Sequence, residues 1–494
     1  MFGFHQNAQS MRFIPPLVVL LVYTAISLLS LNHYYFWDNV QLTSKEAHWF
    51  YQNGFRSFLL PGFSEGSEIV GTGIHPPLQG VITALLWKVF GVHLWVSHVY
   101  IAIWAVVLIY NTYRLLSHFL PQSIKGYALM VVLLEPTILA QLSIASPDII
   151  LLTALVISIR AIKEQRPWLL AFSMLFLILI SARGMLTGGI VLIYYIVHRI
   201  KHDGHKLSLG LALRSFIPFA PAVVLAGLFV GASLHANGWF LSNPDSPWDQ
   251  GYRPPEGIEG VVKNLAAFAL RLLENGRFII GLAGLYVIWV MHRETRLRNF
   301  MLGSQMPLVV LVLLLFLLYL YFAVTTRVAI LTRYYMPIFF TFTLLVYIAL
   351  SQLATLRRIR VFTLIALLML LTGHLWVYPH RIAKAWDSTL AHWPFYQLRD
   401  SSLNYIESKG IDFNQVSSGF CFKGNQRFID LKDRDLYISG NPSNKYFIYS
   451  NISNLSDELI CSFNDSLSWR ELRTFRRGMV FVSVLENQRY MEGQ

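Results

Sequence analysis

Asp38 follows directly on Tyr34, Tyr35, Phe36 and Trp37, an aromatic run that closes the first apolar stretch of the chain. Read as an aromatic belt at a membrane interface, this run delivers a carboxylate where it can act as a general base. Asp is equally at home as the N-cap of a surface helix, which is the bland reading. A second carboxylate, Asp148, follows Ser146 and Pro147 at the mouth of another apolar run, and the same two readings apply. His75 sits in the series Gly71, Thr72, Gly73, Ile74, His75, Pro76, Pro77, Leu78. The prolines fix the backbone, and an imidazole there can donate to a phosphate or sugar oxygen near neutral pH. The alternative is an incidental histidine in a turn that leads into a helix.

Cations of a particular kind accompany these groups. Arg183, beside Gly184, interrupts two apolar runs, and Arg327 and Arg333 bracket the turn before Tyr334, Tyr335, Met336 and Pro337. A guanidinium matches the paired oxygens of a phosphate. A single arginine at such a place serves as readily as an anchor that snorkels to lipid headgroups. Two acids complete the set: Glu46, in the polar and aromatic stretch after Asp38, and Glu135, placed inside an apolar run beside Pro136. An acid at membrane depth is a functional candidate, or the partner of a neighbouring helix.

The elements that carry these residues must be membrane helices. Of the 494 residues 55% are apolar and 14% charged, more apolar surface than one soluble core of this length can bury. Eleven segments have the length and composition of spans: 13–32, 94–116, 126–145, 148–162, 167–182, 185–199, 214–235, 276–291, 303–322, 334–350 and 360–378. The stretch Leu78 to Gly91 is shorter and carries Lys88, so it reads as an interfacial or re-entrant helix. With an inner N-terminus, the five inner connections hold Arg114 and Lys125; Arg160, Lys163 and Arg166; Arg199, Lys201, Lys206 and Arg214; Arg293, Arg296 and Arg298; and Arg357, Arg358 and Arg360. That repetition obeys the positive-inside rule. It accounts for the net charge of +13 without a nucleic-acid partner, because the cations do not form one continuous face.

The outer side then receives a first loop of about 33–93, the turn at Arg183, a loop of 235–275, the turn from Thr325 to Arg333, and the tail. Residues 1–378 read as a transmembrane catalytic module, and residues 379–494 as a small α+β domain outside the membrane with strand-like runs at Lys445 to Tyr449 and Met479 to Leu485. Cys421 and Cys461 lie in that tail and are candidates for a disulfide if it faces an oxidising compartment, or two ordinary thiols. The sequence holds no P-loop, zinc spacing, nucleophile elbow or dinucleotide fingerprint. Three Asn-x-Ser tripeptides at Asn451, Asn454 and Asn464 are too short a pattern to discriminate.

The order of features (first span, Asp38, His75-Pro-Pro-Leu, Pro147-Asp148 after the third span, Arg333-Tyr-x-x-Pro late in the chain) resembles the GT-C glycosyltransferases of the dolichyl-phosphate-mannose protein mannosyltransferase type, which include the bacterial lipid A aminoarabinose transferase. The resemblance covers roughly residues 10 to 380. It implies an inverting transfer from a polyprenyl-phosphate sugar to a glycan, lipid or protein acceptor at the outer face of a multi-pass protein, in bacteria the inner membrane. On that resemblance Asp38 deprotonates the acceptor hydroxyl, and Asp148 positions the acceptor or supports the base. On it too, His75 falls in the family's His-Pro-Pro motif and Arg183 and Arg333 hold the lipid phosphate; with Arg327 and Tyr334 they are the candidates for binding donor phosphate or substrate. Relatives commonly have Asp-Glu where this chain has Asp38-Asn39, which weakens a divalent-metal site; metal dependence is left open. The rival reading is a transporter or flippase for a lipid-linked saccharide, which would show paired half-helices and polar residues along a path through the bilayer.

Overall fold

The computed structural model describes residues 14–60, 73, 75–240, 243–244, 249–327, 331–376, 385–432 and 436–493. Gly71, Thr72, Ile74 and parts of the 235–275 loop, of the Thr325 to Arg333 turn and of the start of the tail lie outside the described residues. The chain is mostly helical, with a small sheet region at its C-terminal end.

Among the described residues, each of the eleven apolar segments is helical over most of its length. Five helices among the described residues are long and apolar enough to cross a membrane, or up to seven if each of two sharply bent helix pairs is one span. The protein is an integral, multi-pass membrane protein by this composition and length. Its helices carry two stripes. On Leu356–Thr372 the residues Ile359, Thr363, Ala366 and Leu370 are buried, whereas Leu364, Leu368 and Leu371 stand exposed at the same helical spacing. Large apolar side chains facing outward at period 3.6 are what a lipid solvent selects. Helix Pro147–Lys163 is instead buried along nearly its whole length and forms the centre of the bundle, packed on Leu94–Leu116 and Pro167–Leu179.

The bent pairs have local causes. The predicted span 126–145 is two helices, Gln122–Leu133 and Pro136–Ser143, set at 57°. Pro136 cannot continue the first helix, and Glu135 caps the second by accepting from the Ile138 amide at 3.0 Å. The other pair, Gly257–Leu273 and Phe278–Arg293, turns by 89°. The first of these helices lies within the 235–275 stretch that the sequence predicts to be a loop. Gly276 makes the turn at φ 83°, and a Cβ there would stand 2.0 Å from the Met369 carbonyl oxygen. The two breaks meet: Glu135 and Arg277 form a buried ion pair at 2.5 Å, and Arg277 also hydrogen-bonds Thr137.

Leu78–Phe90 is a short helix of 13 residues against Glu46–Asn53, itself preceded by a π-helix, Val40–Lys45. The C-terminal region has helix Pro394–Ser408 and a four-stranded sheet in the order Val416–Ser418, Tyr446–Ser450, Val480–Asn487, Trp469–Arg477. Its first pairing is parallel and the other two are antiparallel.

One expectation changes here, and one open alternative is decided. The aromatic run before Asp38 is not a lipid-facing belt, since Tyr35, Phe36 and Trp37 are buried. Phe36 stacks on His392, Trp37 Nε1 donates to Cys421 Sγ at 3.1 Å, and the Tyr35 amide donates to the Ile429 carbonyl, so the run anchors the C-terminal region. Cys421 and Cys461 are thiols and not a disulfide. The first is sealed in the core beneath Trp37, while the second stands exposed on helix Asp457–Ser462.

Candidate active site

Helix starts deliver the charged groups. Ser146 accepts from the Asp148 amide and Ser181 from the Gly184 amide, so Asp148 lies in the first turn of Pro147–Lys163 and Arg183 in the first turn of Ala182–His202. Gly184 is required beside that arginine, because a Cβ would stand 1.8 Å from the Leu177 carbonyl oxygen. Arg333 and Tyr334 occupy a 3-10 turn, Thr332–Tyr335, before Met336–Leu353. Asp38 follows Trp37, whose φ is 47°, and the segment bearing Asp148 follows Ala145, whose φ is 54°. Non-glycine residues avoid this left-handed region, and such strain is kept where it aims a neighbouring group. Asn39 ties the two segments together by donating to the Ile144 carbonyl at 2.8 Å. That gives a structural role to the residue that departs from Asp-Glu.

These groups form one chain of ion pairs. Arg183 Nη2 donates to Asp148 Oδ1 at 2.6 Å. Arg333 donates to Asp38, lies 3.6 Å from Asp148 Oδ2 through Nε, and lies 3.1 Å from Asp387 Oδ2 through Nη1. Tyr334 lies beneath both cations, its ring centre 4.0 Å from the Arg183 guanidinium and 5.3 Å from that of Arg333. Three carboxylates thus meet two guanidiniums, an arrangement short of one positive charge if all are ionised. Exposure separates their uses: the side chains of Asp38 and Arg183 are 18% and 21% exposed, while those of Arg333, Asp148 and Asp387 are sealed.

A small cleft opens beside Asp148 and Arg183, lined also by Glu46, His75, Gln79 and Ser181. His75 Nδ1 accepts from the Ala182 amide at 3.3 Å, which leaves Nε2 as the donor. Burial, then the nearby Arg183, pulls its pKa down to about 4, so the ring is neutral at ordinary pH. Burial pushes the Glu46 carboxyl well up, against a hydrogen bond from the Gly80 amide, and likewise raises Asp387 against the attraction of Arg333. Tyr252, on the short helix Asp249–Tyr252, is pushed up to about 12, by burial first.

Asp38, Asp148, His75, Arg183, Arg333, Tyr334 and, at the cleft, Glu46 are therefore brought together. Arg327 and Glu135 are not. Arg327 pairs with Glu256 at 2.8 Å and donates to the Pro254 carbonyl, holding the loop segment before Gly257–Leu273. Glu135 belongs to the ion pair at the helix breaks. Sequence reading missed Asp387, Tyr252 and Gln79. Asp387 lies in a polar tail where no break in hydropathy singles it out, and it is held by Gln141 Nε2 donating to its carbonyl at 2.6 Å. Among the described residues no three His, Cys, Asp or Glu side chains stand together as metal ligands. The carboxylates converge on a guanidinium instead, so the donor set does not fit a divalent cation, and no step below goes through one.

No family model and no curated protein matches the sequence. Among solved structures, ArnT from Cupriavidus metallidurans overlaps it with a TM-score of 0.47 bound to undecaprenyl phosphate and 0.49 in the apo state. Their identities are 11% and 12%, and the overlap covers 95% of this chain and 97% of that chain. The arabinofuranosyltransferase AftD from Mycobacteria overlaps with a TM-score of 0.43 at 11% identity, covering 95% of this chain and 40% of that one. Overlap at such scores carries no argument about the reaction of this chain, which rests on its own residues.

Proposed function

We propose that the protein is a membrane glycosyltransferase that moves a sugar from a polyprenyl-phosphate donor to an acceptor hydroxyl, with inversion. The observation that carries this reading is the linked pairing of Asp38, Arg333, Asp148 and Arg183 beside a cleft. A base and a phosphate-binding cation are what the reaction requires, one for the acceptor proton and one for the leaving group.

In this reading Asp38, the most exposed of the three carboxylates, takes the proton of the acceptor hydroxyl as that oxygen bonds to the anomeric carbon. The bond from that carbon to the phosphate oxygen breaks, and its electron pair leaves with the lipid phosphate. Arg183 and His75 Nε2 receive the added charge. Arg333 is taken up by carboxylates, so of the two arginines read as holding the phosphate Arg183 keeps that role, and Arg333 orients Asp38 and Asp148. The eleven-span topology with an inner N-terminus belongs to the same proposal. So do the module of residues 1–378, the tail of 379–494 and a site on the outer face of a plasma membrane.

The test is transfer of labelled sugar from a panel of polyprenyl-phosphate sugars to membrane extract, comparing purified protein with Asp38→Asn. Transfer by the unaltered protein alone supports the reading. Full activity of the variant removes Asp38 as the base, and no transfer with any donor removes the enzyme.

One observation favours the flippase alternative: two helix pairs are broken within the bundle, as in transporters. The ion pair at those breaks is closed on itself, with Glu135, Arg277 and Thr137 satisfying one another, which supports an architectural use. Movement of lipid-linked sugar across liposomes without transfer is the result that selects this alternative.

A further inference from the structure

The cleft has a side that the transfer chemistry leaves unused. Gln79 lines it, is 2% exposed, and finds no partner among the described residues for either Nε2 or Oε1. Glu46, 3% exposed, lines it too. The two are side by side because Gly80 lets helices Leu78–Phe90 and Glu46–Asn53 close on each other. A Cβ at Gly80 would stand 2.3 Å from the Glu46 Cβ and 2.8 Å from its Oε2. One turn beyond Gln79, on the same helix face, Thr83 is fully buried with its hydroxyl also unpartnered. Buried polar groups are normally paired, so a buried amide with both ends open at the wall of a cleft is suited to a polar ligand.

The chemistry of that ligand follows from what is present. An amide offers one donor face and one acceptor face, which matches two adjacent hydroxyls. Arg183 is the one Lys or Arg among the residues lining the cleft, and it is committed to Asp148 and, in the reading above, to phosphate. Burial raises the Glu46 carboxyl and so favours its uncharged form, which offers a donor and an acceptor.

Building on the transferase reading, we propose that Gln79 and Glu46 form the subsite that hydrogen-bonds the ring hydroxyls of an uncharged donor sugar, next to the phosphate held by Arg183. The two residues select the sugar and do not touch the bond that breaks.

The experiment measures binding to the purified full-length chain in detergent, using a short polyprenyl phosphate and its hexosyl and pentosyl phosphodiesters, with labelled transfer run in parallel. At least one uncharged sugar ester is expected to bind about 10-fold more tightly than the bare lipid phosphate. Gln79→Met, of similar shape, is expected to erase that margin while leaving the affinity for the bare lipid phosphate unchanged. Glu46→Gln, which keeps a donor and an acceptor, is expected to retain most of it. The subsite is overturned by a margin that survives in Gln79→Met, by equal weakening of ester and bare lipid, or by the absence of any margin in the unaltered protein. A Gln79-dependent margin without transfer to any acceptor would uphold the subsite and sink the transferase.

Discussion

Arg333 and Asp387 lie 3.1 Å apart, a pair that ties the turn before Met336–Leu353 to the first described residues of the C-terminal region. Asp387 competes with Asp38 for the same guanidinium. Asp387→Asn keeps the shape and removes that competition, so Asp38 is held more tightly and becomes a poorer proton acceptor. Transfer is expected to slow about 10-fold in kcat with the donor KM unchanged, because the step affected is proton removal.

Asp38→Asn is expected to lower kcat at least about 100-fold, the usual contribution of a positioned base. The unfolding temperature should stay within a few degrees, since Arg333 keeps two carboxylates. Thermal unfolding in detergent alongside the assay separates loss of the base from loss of the fold.

Arg183 should divide binding from chemistry differently. Arg183→Lys keeps a charge and loses the planar fork, so the donor KM is expected to rise about 10-fold, with a further fall in kcat. Binding of bare polyprenyl phosphate, followed by fluorescence, should weaken by the same factor. Unchanged binding would leave Arg183 a structural partner of Asp148 alone.

At the helix breaks, Glu135→Ala strands Arg277 in the core. The expected cost is about 3–5 kcal/mol of stability, as for other buried pairs that lose one member. The double variant with Arg277→Met should recover much of it in denaturant or thermal unfolding. Failure to recover would mean that the pair does more than satisfy itself.

Histidines outside the spans set a pH dependence. Burial is the first cause that lowers His33 to about 3 and His75 and His392 to about 4, against about 6.5 when unfolded. Each is neutral when folded, so the stability it contributes is complete above about pH 6.5 and declines as the pH falls toward 4, where the unfolded chain alone takes up protons. The raised carboxyls Glu46 and Asp387 act with the opposite sign. The decisive measure is therefore a difference. His33→Phe, which preserves the stacking on Tyr396, should flatten the decline in unfolding temperature between pH 6.5 and 5 by about one proton.

Partition into lipid was settled by the sequence, because apolar runs near the thickness of a bilayer leave no other solvent for them. So was the short list of polar groups at their ends. Asp38, His75, Asp148, Arg183 and Arg333 are visible because each interrupts or borders an apolar run, where a charge needs a reason. Which of them meet is a matter of three dimensions. Arg333 and Arg327 look alike in the chain, yet one is enclosed by three aspartates and the other pairs with Glu256 at the edge of a loop. Asp387 joins from a polar tail that gives no periodic signal, and Gln79 stands out only once Gly80 has brought Glu46 alongside it. Hydropathy is a property of single segments and can be summed along the chain. Pairing of charges depends on distances between segments far apart in sequence, and those distances exist only after the helices have packed.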